Sequence, residues 1–71
     1  ALLGRRGEVD LTPREIEVLS VIAAGGTNRT AAERLLVSEA TVKTHLLHAY
    51  AKLGVSDRAA AVRVAYERGL L

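Results

Sequence analysis

A chain of 71 residues accommodates one domain at most and buries only a thin core. It has no Cys, Phe, Trp or Met, so disulfides and thiolate zinc sites are excluded and the core must come from Leu, Val, Ile and Ala. The formal net charge is +2, ten Lys+Arg against eight Asp+Glu, which admits an anionic partner but is far from a polybasic tail.

Hydrophobic residues at 49% and charged residues at 25% are globular values rather than those of a disordered segment. No apolar run approaches the roughly 20 residues that span a bilayer, and no basic-then-apolar leader opens the chain. The start at Ala1 leads us to expect a processed or excised piece. The lack of Cys fits a reducing compartment, and a cytoplasmic location is expected.

Residues 1–10 show no helical face, and Gly4, Arg5, Arg6 and Gly7 read as a linker or arm. From residue 11 onward the chain is dense in Ala, Leu, Glu and Arg, has Pro13 as its one proline and shows no sustained alternation. The expected fold is all-α, a four-helix bundle with helices at about 12–24, 28–35, 39–53 and 57–68. The domain itself is expected to occupy 11–71.

The first helix has the strongest local signal. Thr12 suits the N-cap, Pro13 the first helical position and Glu15 the N3 position, together a capping box. Leu11 and Ile16 are spaced for a hydrophobic staple, and Ile16, Leu19, Ile22 and Ala23 recur at helical spacing. Gly25 and Gly26 stop the helix. Thr27 then caps a short second helix whose inner face is Ala31, Ala32 and Leu35, and Leu36 and Val37 read as a buried turn. Ser38 caps the third helix. A gap this short, without proline, makes helices two and three cross at a large angle, as in a helix-turn-helix.

The third helix separates into two faces. Val42, Leu46, Ala49 and Leu53 form an apolar stripe with Tyr50 at its edge, and Ala40, Thr44, Leu47 and Ala51 lie opposite, flanked by Lys43 and His48. Gly54 suits the C′ position, and Val55 can fold back onto the helix end. Asp57 or Ser56 caps the fourth helix, in which Ala61, Val62, Ala65 and Gly69 make a small-residue face and Val64 and Tyr66 widen the apolar surface. So much apolar circumference points to a partner surface.

These residues resemble a LuxR/GerE-type helix-turn-helix domain. The resemblance is carried by Leu11-Thr12-Pro13-Arg14-Glu15 with Glu17-Val18-Leu19, by Thr27-Asn28, and by Ala32-Glu33-Arg34-Leu35. It continues through Val37-Ser38-Glu39-Ala40-Thr41-Val42-Lys43-Thr44-His45, Tyr50, Lys52-Leu53-Gly54-Val55, Arg58 and Ala61-Val62. It covers residues 11–71 and implies a domain that binds double-stranded DNA. The third helix would enter the major groove and the fourth would form a homodimer contact, behind an upstream sensory or receiver domain of a transcription regulator such as a two-component response regulator. The chain departs from the family pattern where an acidic residue often stands, at Thr30 and near Ala60, so neither capping box is completed there. Ala31 and Ala49 replace larger aliphatic residues, and Leu47 replaces a basic or polar one.

Each candidate DNA-binding residue has two readings. Lys43 lies where base contacts usually fall on a recognition helix and donates to guanine or to phosphate, or is a solvated lysine. Thr44 offers a hydroxyl and a methyl to a base edge or phosphate, or is an ordinary surface threonine. Leu47 packs on thymine methyl groups, or is one of the exposed leucines that need no explanation. Thr27, Asn28, Ser38 and Thr41 stand at helix starts, where they cap, contact phosphate or do both. Lys52 reaches flanking phosphates or is plain surface.

His45 and His48, at i and i+3, invite a metal reading, but no third ligand stands nearby; polar packing or phosphate contact fits them better. No metal site, cofactor or membrane association is expected. No nucleophile–base–orienter set and no phosphate-binding glycine loop is present, so an enzyme is not expected. The rival reading is a protein-interaction module that keeps the fold without specific DNA binding, favoured by Leu47 and the low net charge. Ala61, Val62 and Ala65 are the candidate dimer residues.

Overall fold

The computed structural model describes residues 11–71; the arm expected at 1–10 lies outside them. Four α-helices follow in order: α1 (Pro13–Ala23), α2 (Asn28–Leu35), α3 (Glu39–Leu53) and α4 (Arg58–Glu67). Each starts the same way. The side chains of Thr12, Thr27, Ser38 and Asp57 accept from the N3 amides of Glu15, Thr30, Thr41 and Ala60. Each such cap stabilises its helix by about 0.5–2 kcal/mol, a large contribution where the helices are short.

Only α1 closes the full capping box, with the Thr12 amide donating to Glu15 Oε1 at 2.9 Å. In α2 the acid that would reach back is absent. The Thr30 hydroxyl instead pairs with that of Thr27 at 3.1 Å, joining cap and N3 side chains while leaving the Thr27 amide without that partner.

α1 ends in a Schellman pattern: the Gly25 amide donates to Ile22 O and the Gly26 amide to Val21 O. The two glycines serve different ends. Gly25 adopts φ 96°, the left-handed region. Gly26 sits against α1, where a Cβ would lie 2.6 Å from Val21 Cγ1 and 2.8 Å from Val21 O.

The core comprises Val18, Leu19, Val21 and Ile22 of α1, Ala31 and Ala32 of α2, Val42, Leu46, Ala49 and Leu53 of α3, and Ala61 and Ala65 of α4. α1 and α3 each pack on all three other helices, whereas the backbones of α2 and α4 stay apart. That explains why the buried arc of α1 differs from the expected one. A helix contacted on several sides buries a wide arc, so Val18 and Val21 are interior while Ile16 and Ala23 are only half-buried. Leu11 packs on the core from its place before the cap, but Ile16, its expected staple partner, lies outside that cluster.

Two further expectations are corrected. Leu36 is not part of a buried turn: it is 89% exposed and adopts φ 60°, ψ 44°. The helix-ending turn needs a left-handed residue there, and in that conformation the side chain points into solvent; only Val37 returns to the core, its amide donating to Ala32 O. In α4, Ala61 and Ala65 are fully buried within this domain's own core and cannot meet a partner; Val62 is half-buried. The outward side of α4 carries Ala59, Arg63, Tyr66 and Glu67, with Val62 at its margin.

Candidate nucleic-acid interface

α3 has one face sealed and one face open. Val42, Leu46, Ala49 and Leu53 are 4% accessible or less, with Tyr50 half-buried beside them. Ala40, Lys43, Thr44, Leu47, His48 and Ala51 are all exposed, as the two-face reading requires. His45 is half-buried between the faces, a position suited to polar packing at the rim. Lys43 has no ion-pair partner among the described residues, although Glu39 stands one turn before it on the same helix. By contrast, Arg14, Arg29 and Arg63 are each tied to a glutamate on their own helix.

The hydroxyls around this face are committed in different ways. Ser38 Oγ accepts from the Thr41 amide and donates to Thr41 Oγ1 at 2.9 Å, which leaves the Thr41 hydroxyl hydrogen available to an outside acceptor. Thr44 Oγ1 donates to Ala40 O at 3.1 Å, so what remains for a ligand is its methyl group and an oxygen lone pair. At the start of α2, Asn28 Oδ1 accepts from Arg58 Nη2 at 3.0 Å, a bond that joins the first turns of α2 and α4. Arginine only donates, so this bond fixes the amide orientation, with the Asn28 NH2 directed away from Arg58.

Lys52 has a partner that its spacing does not announce. Its Nζ lies 2.9 Å from Glu15 Oε1, a carboxylate 3% accessible as a residue. The pair ties the end of α3 to the start of α1, across 37 positions. Burial pushes the Glu15 carboxyl up, but the hydrogen bonds from Lys52 and Thr12 and the Lys52 charge outweigh it and hold the carboxyl below its usual value. Lys52 is thus held by Glu15 at the edge of the fold while its side chain stays 36% exposed.

The Glu15–Lys52 and Asn28–Arg58 links were missed in the sequence. Glu15 and Asn28 already had local roles there, and no short-range pattern reports a partner some 30 or more residues away. Among the described residues no group of three His, Cys, Asp or Glu is placed to hold a metal ion, and no helix is long and apolar enough to cross a membrane.

A three-residue connection between α2 and α3, with α3 sealed on one side and open on the other, defines a helix-turn-helix domain. A family description, bacterial regulatory proteins of the luxR family, matches residues 9–65, and the chain belongs to that family. An HTH-type transcriptional regulator of Mycobacterium bovis is 47% identical over 64 residues, 90% of this chain and 7% of that protein. The NarL transcriptional regulatory protein of Mycobacterium tuberculosis is 52% identical over 61 residues, 86% of this chain and 28% of that protein. The solved structure of the response regulator ChrA, of a heme-sensing two-component system, superposes with a TM-score of 0.85 at 46% identity. That match covers 99% of this chain and 36% of that one. The chain therefore spans well under half the length of these relatives.

Proposed function

We propose that this chain is the DNA-binding domain of a transcription regulator, with the outer face of α3 lying in the major groove of double-stranded DNA. The observation that carries the reading is the open face of α3, where Lys43, Thr44, Leu47 and His48 stand together with no covering element among the described residues. An α-helix fits the major groove, and a few outward side chains reach base edges. Thr27 and Asn28 at the start of α2 and the Thr41 hydroxyl at the start of α3 supply donors for phosphate oxygens; Ser38, whose own hydroxyl hydrogen goes to Thr41, orients that donor, and His45 supports them from the rim. Domains of this kind in the relatives form a minor part of longer regulators, among them the response regulator ChrA. We therefore propose an upstream receiver or other sensory domain as the partner that controls this one. We also propose a homodimer on a two-fold site, through the outward side of α4 at Ala59, Val62 and Tyr66 rather than through Ala61 and Ala65.

The test is a fluorescence-anisotropy titration of the domain with duplex DNA at 50 and 200 mM salt, concentrations at which counterion release is read directly. With about four phosphates neutralised, the affinity falls on the order of 10²-fold between them. Absence of saturable binding, or binding indifferent to salt, refutes the proposal and favours a protein-interaction module, the reading to which an exposed Leu47 also lends itself.

A further inference from the structure

We infer that α3 reads thymine 5-methyl groups through Leu47 and Thr44, so that the preferred DNA site carries thymine within about two base pairs of the one that Lys43 contacts. The inference rests on the proposed DNA reading and deepens it.

The open face of α3 is poor in hydrogen-bond donors. Ala40, Leu47 and Ala51 bring none, and the hydroxyl hydrogen of Thr44 is given to Ala40 O. Lys43 and His48 alone among the six exposed side chains can donate to a base edge. What this face presents otherwise is an apolar row: the Thr44 methyl, Leu47 three residues on and Ala51 a further turn along.

Leu47 is 54% exposed. The other large exposed apolar side chains among the described residues, Leu36 and Tyr66, lie off this face, in the turn before α3 and on α4. The only apolar group on a base edge in the major groove is the thymine methyl. A leucine set against guanine O6 and N7, or against cytosine N4, would strip water from polar groups and return no hydrogen bond. Leu47 thus favours thymine and penalises a G·C pair at the same step. Side chains four apart on a helix stand about 5–6 Å apart at Cβ, and base pairs stack about 3.4 Å apart. The Lys43 and Leu47 contacts therefore fall on the same or closely neighbouring steps.

The experiment begins with selection of the preferred duplex from a randomised pool. Each thymine of that duplex is then replaced in turn by uracil, which removes the methyl and leaves every hydrogen-bonding group in place. For the unaltered domain, one or two replacements weaken binding about 3–10-fold, the order of one or two buried methyl contacts. For Leu47→Ala, which truncates an exposed side chain and keeps the helix by circular dichroism, the same replacements change binding less than about twofold. Equal binding of thymine and uracil duplexes at every position overturns the inference while leaving the DNA reading intact. A uracil penalty undiminished in Leu47→Ala overturns the role of Leu47. Failure to bind any duplex overturns both the inference and the DNA reading on which it rests.

Discussion

Replacing Lys52 by methionine keeps the length of the side chain and removes its charge, leaving the buried Glu15 carboxylate with Thr12 as its hydrogen-bond partner. Removing one partner of a fully buried pair costs about 3–5 kcal/mol, and a charge-assisted hydrogen bond contributes about 1.5–3 kcal/mol. The Lys52 side chain is 36% exposed, so water replaces part of what it donates. The expected loss is about 1–2 kcal/mol, or about 4–16 °C in Tm for a domain this small. Glu15→Gln should cost less, because glutamine still completes the capping box.

The pH dependence has a definite sign. The Glu15 carboxyl is held below its usual value in the folded state, so its contribution is present above about pH 4.3. It is lost as pH falls through the lower, folded value. Thermal unfolding followed by circular dichroism at pH 6 and pH 3 should show the gap between the native chain and Lys52→Met narrowing at the lower pH. A gap of the same size at both pH values, or full additivity of the two substitutions in a double-mutant cycle, refutes the assignment of the energy to this pair.

Lys43→Ala should weaken specific duplex binding by about 1–3 kcal/mol if Lys43 meets a base; if it meets only phosphate, specific and non-specific DNA weaken together and the salt slope drops by about one unit. No change on either DNA removes Lys43 from the interface. Val62→Glu, and Ala59→Glu, whose exposed position spares the core, should weaken binding to a two-half-site duplex more than to a single half-site; equal losses on both duplexes sink the dimer. Leu36→Gly relieves a left-handed backbone at an exposed side chain and should raise stability by about 0.5–1 kcal/mol, read as an increase in Tm. A decrease would show that the Leu36 side chain contributes more than its conformation costs.

Much of this architecture was legible because its signals are local. Thr12, Thr27, Ser38 and Asp57 announce helix starts within three residues, and Gly25 and Gly54 announce stops, so all four helices fall where capping chemistry puts them. The two faces of α3 were equally plain, since a 15-residue helix gives its period room to repeat. Ala61 and Ala65 of α4 lie elsewhere than expected because small residues look like a surface for a partner. Alanine has the same appearance whether the helix that meets it belongs to another copy or to the same chain, and here it is the same chain. Leu36 was misread because a leucine between two helices resembles core; the left-handed turn that turns it outward has no signal in leucine itself. Of the candidate interface, the residue types on α3 could be read directly. The hydroxyl of Thr44 turned back on Ala40 and the capture of Lys52 by Glu15 depend on side-chain geometry that spacing does not encode.

Among the described residues, five of the twelve buried apolar ones are alanines, on α2, α3 and α4. An alanine side chain has no rotamers to lose on folding, and none to adjust afterwards. Where Ala49 of α3 shares a core with Ala31, Ala61 and Ala65, spacing between helices is set by main-chain approach rather than by adaptable side chains. The mutational tolerance of such a core is lopsided. Truncation has little left to remove at these positions, whereas one added methyl group has nowhere to go and must push a helix outward. For α3 that displacement would reach the far side of the helix undiminished. Enlargement of a hidden alanine is therefore a way to retune what the exposed side chains touch, without altering any of them.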